Sequence, residues 1–118
     1  MKNKILCCAF AVLFIYGCDK KDDASVQPTK IACINTKIKQ FQKSDNLCTT
    51  TASVKQYSFQ NKQVFVFDLG DCCADCFYEV YDDQCNFLGN LGGFPGYTKI
   101  NNAPFYDSAV FVKTVWSN

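Results

Sequence analysis

Histidine and arginine are absent from all 118 residues. Without an imidazole there is no Ser-His-Asp or Cys-His nucleophile, and no zinc site that uses histidine. Without a guanidinium there is no bidentate clamp for phosphate or carboxylate. Most common hydrolase designs are excluded, and the expectation is a protein that is not an enzyme and needs neither cofactor nor metal. A membrane-spanning run is also lacking. Ile5 to Tyr16 is uncharged over 12 residues, whereas a transmembrane helix needs about 20.

That short run reads instead as the core of an export signal. Lys2 and Lys4 precede it, and Gly17 gives a small residue before Cys18. The sequence Ile15-Tyr16-Gly17-Cys18 resembles the lipobox of bacterial lipoproteins, with Tyr16 bulkier than usual at its position. The expected division is a lipoprotein signal peptide at 1–17, a lipidated Cys18 with a flexible tether at 18–30, and a single domain at 31–118. Such a protein partners the membrane through lipid on Cys18 and resides in the cell envelope. Once Lys2 and Lys4 leave, ten lysines face eleven acidic residues. This near-neutral balance offers no footprint for nucleic acid or anionic headgroups.

Nine cysteines occur in the chain. Cys7 and Cys8 leave with the signal and Cys18 carries lipid, so Cys33, Cys48, Cys72, Cys73, Cys76 and Cys85 remain. An even number in an exported chain reads as a disulfide framework. Adjacent cysteines close a tight ring, so Cys72 and Cys73 are expected to reach different partners. Cys33 and Cys48 are natural candidates, although the spacing alone fixes no pairing.

The tether, Asp19 to Pro28, is charged and free of aromatics. Its Lys20-Lys21-Asp22-Asp23 stretch resembles the export signal of Bacteroidota surface lipoproteins, which implies the outer membrane and a surface-exposed position; simple solvation explains the same residues. Ile31, Ile34, Ile38 and Phe41 then recur at helical spacing, with Lys37, Lys39 and Lys43 away from them. Thr29 is the expected N-cap and Ser44-Asp45-Asn46 the expected stop.

From Val54 the period changes to that of strands. Val54 to Gln60 and Gln63 to Leu69 should form a hairpin about Asn61-Lys62. Phe77 to Tyr81 and Phe87 to Leu91 should follow, with Val110 to Trp116 as a last strand. The fold class expected is α+β: an N-terminal amphipathic helix packed on a 4–5-stranded antiparallel sheet, stapled by disulfides.

The run Tyr57-Ser58-Phe59-Gln60-Asn61-Lys62-Gln63-Val64-Phe65-Val66-Phe67, then Cys72-Cys73, then Tyr81-Asp82-Asp83-Gln84-Cys85-Asn86, Gly92-Gly93 and Val115-Trp116 resembles a family of small Bacteroidota lipoproteins whose domain has no known function. The resemblance spans roughly residues 31 to 116, with Cys76 additional to the family's pattern. It implies no activity and no catalytic residue.

Three constellations carry chemistry. Cys72, Cys73, Cys76 and Cys85 could act together as a thiol-based metal or redox site. Against redox exchange, Asp71 and Asp75 flank Cys73-Ala74-Asp75-Cys76, and negative charge raises a thiol pKa. Asp68, Asp71, Asp75, Glu79, Asp82 and Asp83 form an acidic series that matches no calcium loop, and strand ends are often acidic for solvation alone. The strands carry more aromatics than one helix-covered face needs: either the core is fully occupied, or a face or the Phe94-Pro95-Gly96-Tyr97 loop is offered to a partner. The glycine-rich loop from 92 to 104 is long for a compact domain. The reading that follows is an envelope-anchored binding module for an unidentified envelope protein or ligand, with Phe94 and Tyr97 at its contact surface. The alternatives are the thiol site and a purely structural envelope component.

Overall fold

The structure, a computed structural model, describes the backbone of residues 26–118 and the side chains from Ala32 onward. The signal at 1–17, Cys18 and the tether up to residue 25 lie outside the described residues. Helix α1 spans Val26–Phe41. It begins earlier than the sequence suggests, so the last tether residues are helical and Thr29 sits inside the helix rather than capping it. Pro28 permits this because the first four N–H groups of a helix have no intrahelical partner, and a missing one costs nothing there. Ile34 and Ile38 are buried as the apolar stripe requires.

Five strands form one antiparallel sheet in the order β4-β3-β2-β1-β7. They are β1 (Ser53–Phe59), β2 (Lys62–Asp68), β3 (Phe77–Asp82), β4 (Phe87–Gly92) and β7 (Val110–Ser117). The first hairpin turns at Gln60-Asn61, one residue before the expected Asn61-Lys62, because Phe59 pairs with Lys62. Both turn residues take positive φ, 49° and 61°, as a type I′ turn demands. Asn61 fills the second turn position, and the chain accepts Gln60 in the first because this register pairs Tyr57 with Val64. A shift by one would turn that apolar set to the opposite face.

Each sheet face has its own core. On one face Val54, Phe65 and Phe67 pack against Ile34 and Ile38 of α1, with Phe41, Tyr81 and Trp116 at the margin. Phe41 meets Phe67 and Trp116 edge-on, at 5.3 and 6.0 Å between ring centroids. On the opposite face Phe59, Val64, Val66, Val80 and Leu91 need a different cover. The segment expected to be a long bare loop supplies it. Residues after β4 form a two-residue ladder, β5 (Lys99–Ile100) with β6 (Ala103–Pro104), followed by a single helical turn, α2 (Phe105–Ser108). Ile100 and Phe105 insert into the second core and are fully buried. Phe59, Phe65, Phe67 and Phe105 are thus spent inside a three-layer arrangement of helix, sheet and flap, while Phe77, Phe87 and Phe111 of the strands stay exposed.

Three disulfides form, one of which ties the helix to the sheet. Cys33 on α1 joins Cys85 in the β3–β4 turn, with Cα atoms 6.2 Å apart. Cys48 joins Cys72 at 5.6 Å, and Cys73 joins Cys76 at 5.4 Å. Cys72 and Cys73 do part company, and Cys48 is a partner of one of them. Cys33 is not: α1 lies beside the β3–β4 turn, where Cys85 adopts a φ of 62°. Cys73 closes a local ring with Cys76 instead. The Cys48 end is tightly built. A Cβ on Gly70 would come within 2.6 Å of the Cys48 Cβ and 2.9 Å of the Ala52 nitrogen. Only glycine fits there, and its φ of 98° requires glycine as well.

Candidate functional site

The chain after β4 turns back on itself at a narrow tip. Gly92 and Tyr97 exchange two backbone hydrogen bonds, the Gly92 N–H donating at 2.7 Å and the Tyr97 N–H at 2.9 Å. Inside that pair, the Gly96 N–H donates to the Gly93 carbonyl at 3.0 Å, which closes a turn across Phe94-Pro95. The Gly93 N–H donates at 3.1 Å to the carbonyl of Cys76. The tip is thereby strapped to the short ring that the Cys73–Cys76 bridge closes.

Phe77, the first residue of β3, completes the arrangement. Its ring lies directly over Gly93, where a Cβ would come within 2.3 Å of it. Gly93 also has a φ of 73°, so glycine is required for both reasons. Tyr97 stacks on Phe77 at 6.0 Å with 18° between planes. The result is an aromatic ridge: Phe94 is 87% exposed, Tyr97 52% and Phe77 40%. Phe77 and Tyr97 half-cover each other, while Phe94 stands almost wholly in solvent. The backbone beneath is braced by four hydrogen bonds and a disulfide loop, so these rings are presented at little conformational cost.

Phe94 and Tyr97 thus sit where the sequence places them, at a solvent-facing tip. Phe77 joins them although the sequence suggests a strand aromatic like any other. A signal was present. Phe77 and Glu79 alternate onto one face of β3, and a carboxylate on that face marks it as wet. Glu79 pairs with Phe67 across the strands, so the face is the one α1 covers elsewhere, but the helix does not extend over Phe77.

The four cysteines weighed as a thiol site do not converge. Cys72 is bonded to Cys48 and Cys85 to Cys33, which leaves Cys73–Cys76 alone beside the tip. Among the described residues no three Cys, Asp or Glu side chains gather closely enough to hold a metal ion. The acidic series does not converge, and Asp68, Glu79 and Asp82 are taken up by local hydrogen bonds. Asp68 accepts from the Gly70 N–H at 2.8 Å. Glu79 accepts from the Tyr81 hydroxyl at 2.8 Å. Burial, followed by that hydrogen bond, pushes the Tyr81 pKa up to about 12. Lys37 of α1 lies 3.8 Å over the Tyr81 ring.

Asp82 is the most engaged of the acids. Its carboxylate accepts from the Gln84 and Asn86 N–H groups at 2.9 and 2.8 Å and from the Asn86 side-chain amide at 3.0 Å. Burial raises its pKa, but these donors, together with the charge of Lys62, outweigh that and hold it below the ordinary carboxylate value. It shapes the turn that carries Cys85.

A family model described as a domain of unknown function (DUF6970) matches residues 39–118. No curated protein and no solved structure matches the chain.

Proposed function

The chain belongs to the DUF6970 family of domains of unknown function, and from that premise we propose that it is a non-enzymatic binding module held on the bacterial cell envelope by lipid. The lipobox-like Ile15-Tyr16-Gly17-Cys18 supports cleavage before Cys18 and a thioether lipid on its sulfur. The charged stretch Lys20 to Asp23 supports the outer membrane as its location. The partner is an envelope protein, met through the ridge of Phe77, Phe94 and Tyr97. The observation that carries this is the exposure of Phe94, 87% on a braced hairpin. Rigid, desolvatable aromatics of this kind dominate binding energy at protein interfaces. Three disulfides fit an oxidising compartment outside the cytoplasm.

Two experiments test the two halves. Cys18→Ala should abolish incorporation of labelled fatty acid and release the protein from membranes or leave it unprocessed. Label entering the variant would end the lipid assignment. The second replaces Phe94 and Tyr97 together with Ser. Partner recovery by crosslinking on intact cells should fall at least about tenfold, since a pair of interface anchors is worth roughly 2 kcal/mol or more. The thermal midpoint should move little, because neither ring belongs to either core. A variant that unfolds, yet binds normally when folded, would make the ridge packing rather than a contact surface.

A further inference from the structure

Among the described residues, the helix-covered face of the sheet is not filled along its whole length. Near the β1–β2 turn it opens into a groove of about 700 Å³, bounded by α1, β7 and the β3–β4 turn. Sites for small ligands usually measure roughly 300–1,000 Å³. Its apolar lining is Val115 with the narrow exposed edges of the core residues Ile34 and Phe65. Its walls carry side-chain carboxamides from four separate elements: Asn35 of α1, Gln56 of β1, Gln63 of β2 and Gln84 of the β3–β4 turn.

Gln56 is the informative residue. It is a strand residue, 8% exposed, where an apolar side chain would be the cheaper choice. Its Nε2 donates to Gln63 Oε1 at 3.0 Å, which uses one donor of one amide and one acceptor of the other. Among the described residues no fully buried side-chain N or O lacks a partner. Gln63 is itself exposed, so its amide hydrogens face the groove, and the Gln56 oxygen, which is not a buried atom without a partner, is accessible there as well. Charge around the groove is balanced, Lys62 and Lys113 against Asp82 and Asp83.

These features select a ligand class. A carboxamide both donates and accepts, as a hydroxyl does, so amide-lined walls suit groups that do both. A balanced charge set gives no net attraction for a strongly ionic ligand. An apolar lining suits a ligand with a C–H face. We propose that this groove binds a neutral polyhydroxylated ligand, a short oligosaccharide held by Gln56, Gln63 and Gln84 against this lining. The site is separate from the aromatic ridge and does not rest on the protein-docking reading.

The test uses the full chain, purified in detergent and displayed to an array of defined neutral oligosaccharides, acidic oligosaccharides and neutral peptides, with affinities then measured by NMR titration. At least one neutral oligosaccharide should bind, and neither acidic glycans nor peptides should bind more tightly. Gln63→Ala and Gln84→Ala, both at exposed positions, should each weaken that binding about tenfold, the loss expected for a hydrogen-bonding amide. Both should keep the wild-type circular dichroism spectrum. The Phe94→Ser/Tyr97→Ser variant should bind the sugar normally. The proposal is overturned if no neutral oligosaccharide binds at millimolar concentration, if an acidic glycan or a peptide is preferred, or if both glutamine variants bind as the wild type does.

Discussion

Replacing Phe105 with Ala should destabilise the domain by about 3–5 kcal/mol in urea unfolding, a large part of the roughly 5–15 kcal/mol that a domain of ordinary stability has. Phe105 is fully buried although it begins a helix of only four residues. Its ring centroid lies 5.0 Å from that of Phe59 and 5.3 Å from that of Tyr57. Its N–H donates to the Thr98 carbonyl at 2.8 Å and its carbonyl accepts from Ala109 at 2.7 Å. The site cannot collapse to fill the void, because the sheet beneath it is held on both faces. The flap has no other large anchor except Ile100, so the loss should also speed hydrogen exchange in β5 and β6. A cost below about 1 kcal/mol would mean that the flap contributes no core.

Removing the Cys33–Cys85 bridge should cost nearly as much. The two cysteines are 52 residues apart, and chain-entropy arguments give about 3 kcal/mol for a 15-residue loop and about 4.7 for 100 residues. About 4 kcal/mol is the expected loss for Cys33→Ser with Cys85→Ser. The internal control is Cys73→Ser with Cys76→Ser. That bridge spans three residues, so its loss should cost less than the ~3 kcal/mol of the 15-residue case. Urea midpoints of the two double variants, measured side by side, decide the matter. Equal losses would mean that the long bridge restrains an unfolded chain already compact in that region.

Those two predictions also mark where the sequence was readable. All five main strands were visible, because alternation along Tyr57 to Phe67 and Phe77 to Tyr81 has one dominant period. The helix stripe through Ile34 and Ile38 was visible for the same reason. The flap was not. Residues 99–108 contain only two deeply buried side chains, Ile100 and Phe105, spaced too irregularly to declare a period, within a setting of Asn, Pro and Gly that reads as loop. The start of α1 was hidden by Pro28, which is a break in a helix interior but is tolerated in a first turn. Register at Gln60-Asn61 depended on cross-strand packing of Tyr57 with Val64, which no local signal encodes.

The candidate site was half legible. Phe94 and Tyr97 stand out because glycines and a proline surround them. Phe77 required knowledge of where α1 ends. The groove was not legible at all, since Gln56 and Gln63 read as ordinary polar strand residues until the register puts them face to face. Of the disulfides, only the separation of Cys72 from Cys73 followed from covalent geometry. The choice of Cys85 for Cys33 depends on how the helix lies beside a turn far along the chain.

That last pairing sets an order on maturation. The Cys33–Cys85 bridge encloses the other two, since 48–72 and 73–76 both fall between its ends. Of the six bridged cysteines, a chain made from its N-terminus presents Cys33 first and Cys48 next, long before Cys85 exists. If thiols oxidise as they emerge, the nearest union is Cys33 with Cys48, which is wrong for both. Correcting it takes thiol–disulfide exchange, a slow step without a catalyst. Under that order of oxidation the chain would need proofreading as much as oxidation, and a host that can only oxidise should accumulate a scrambled form.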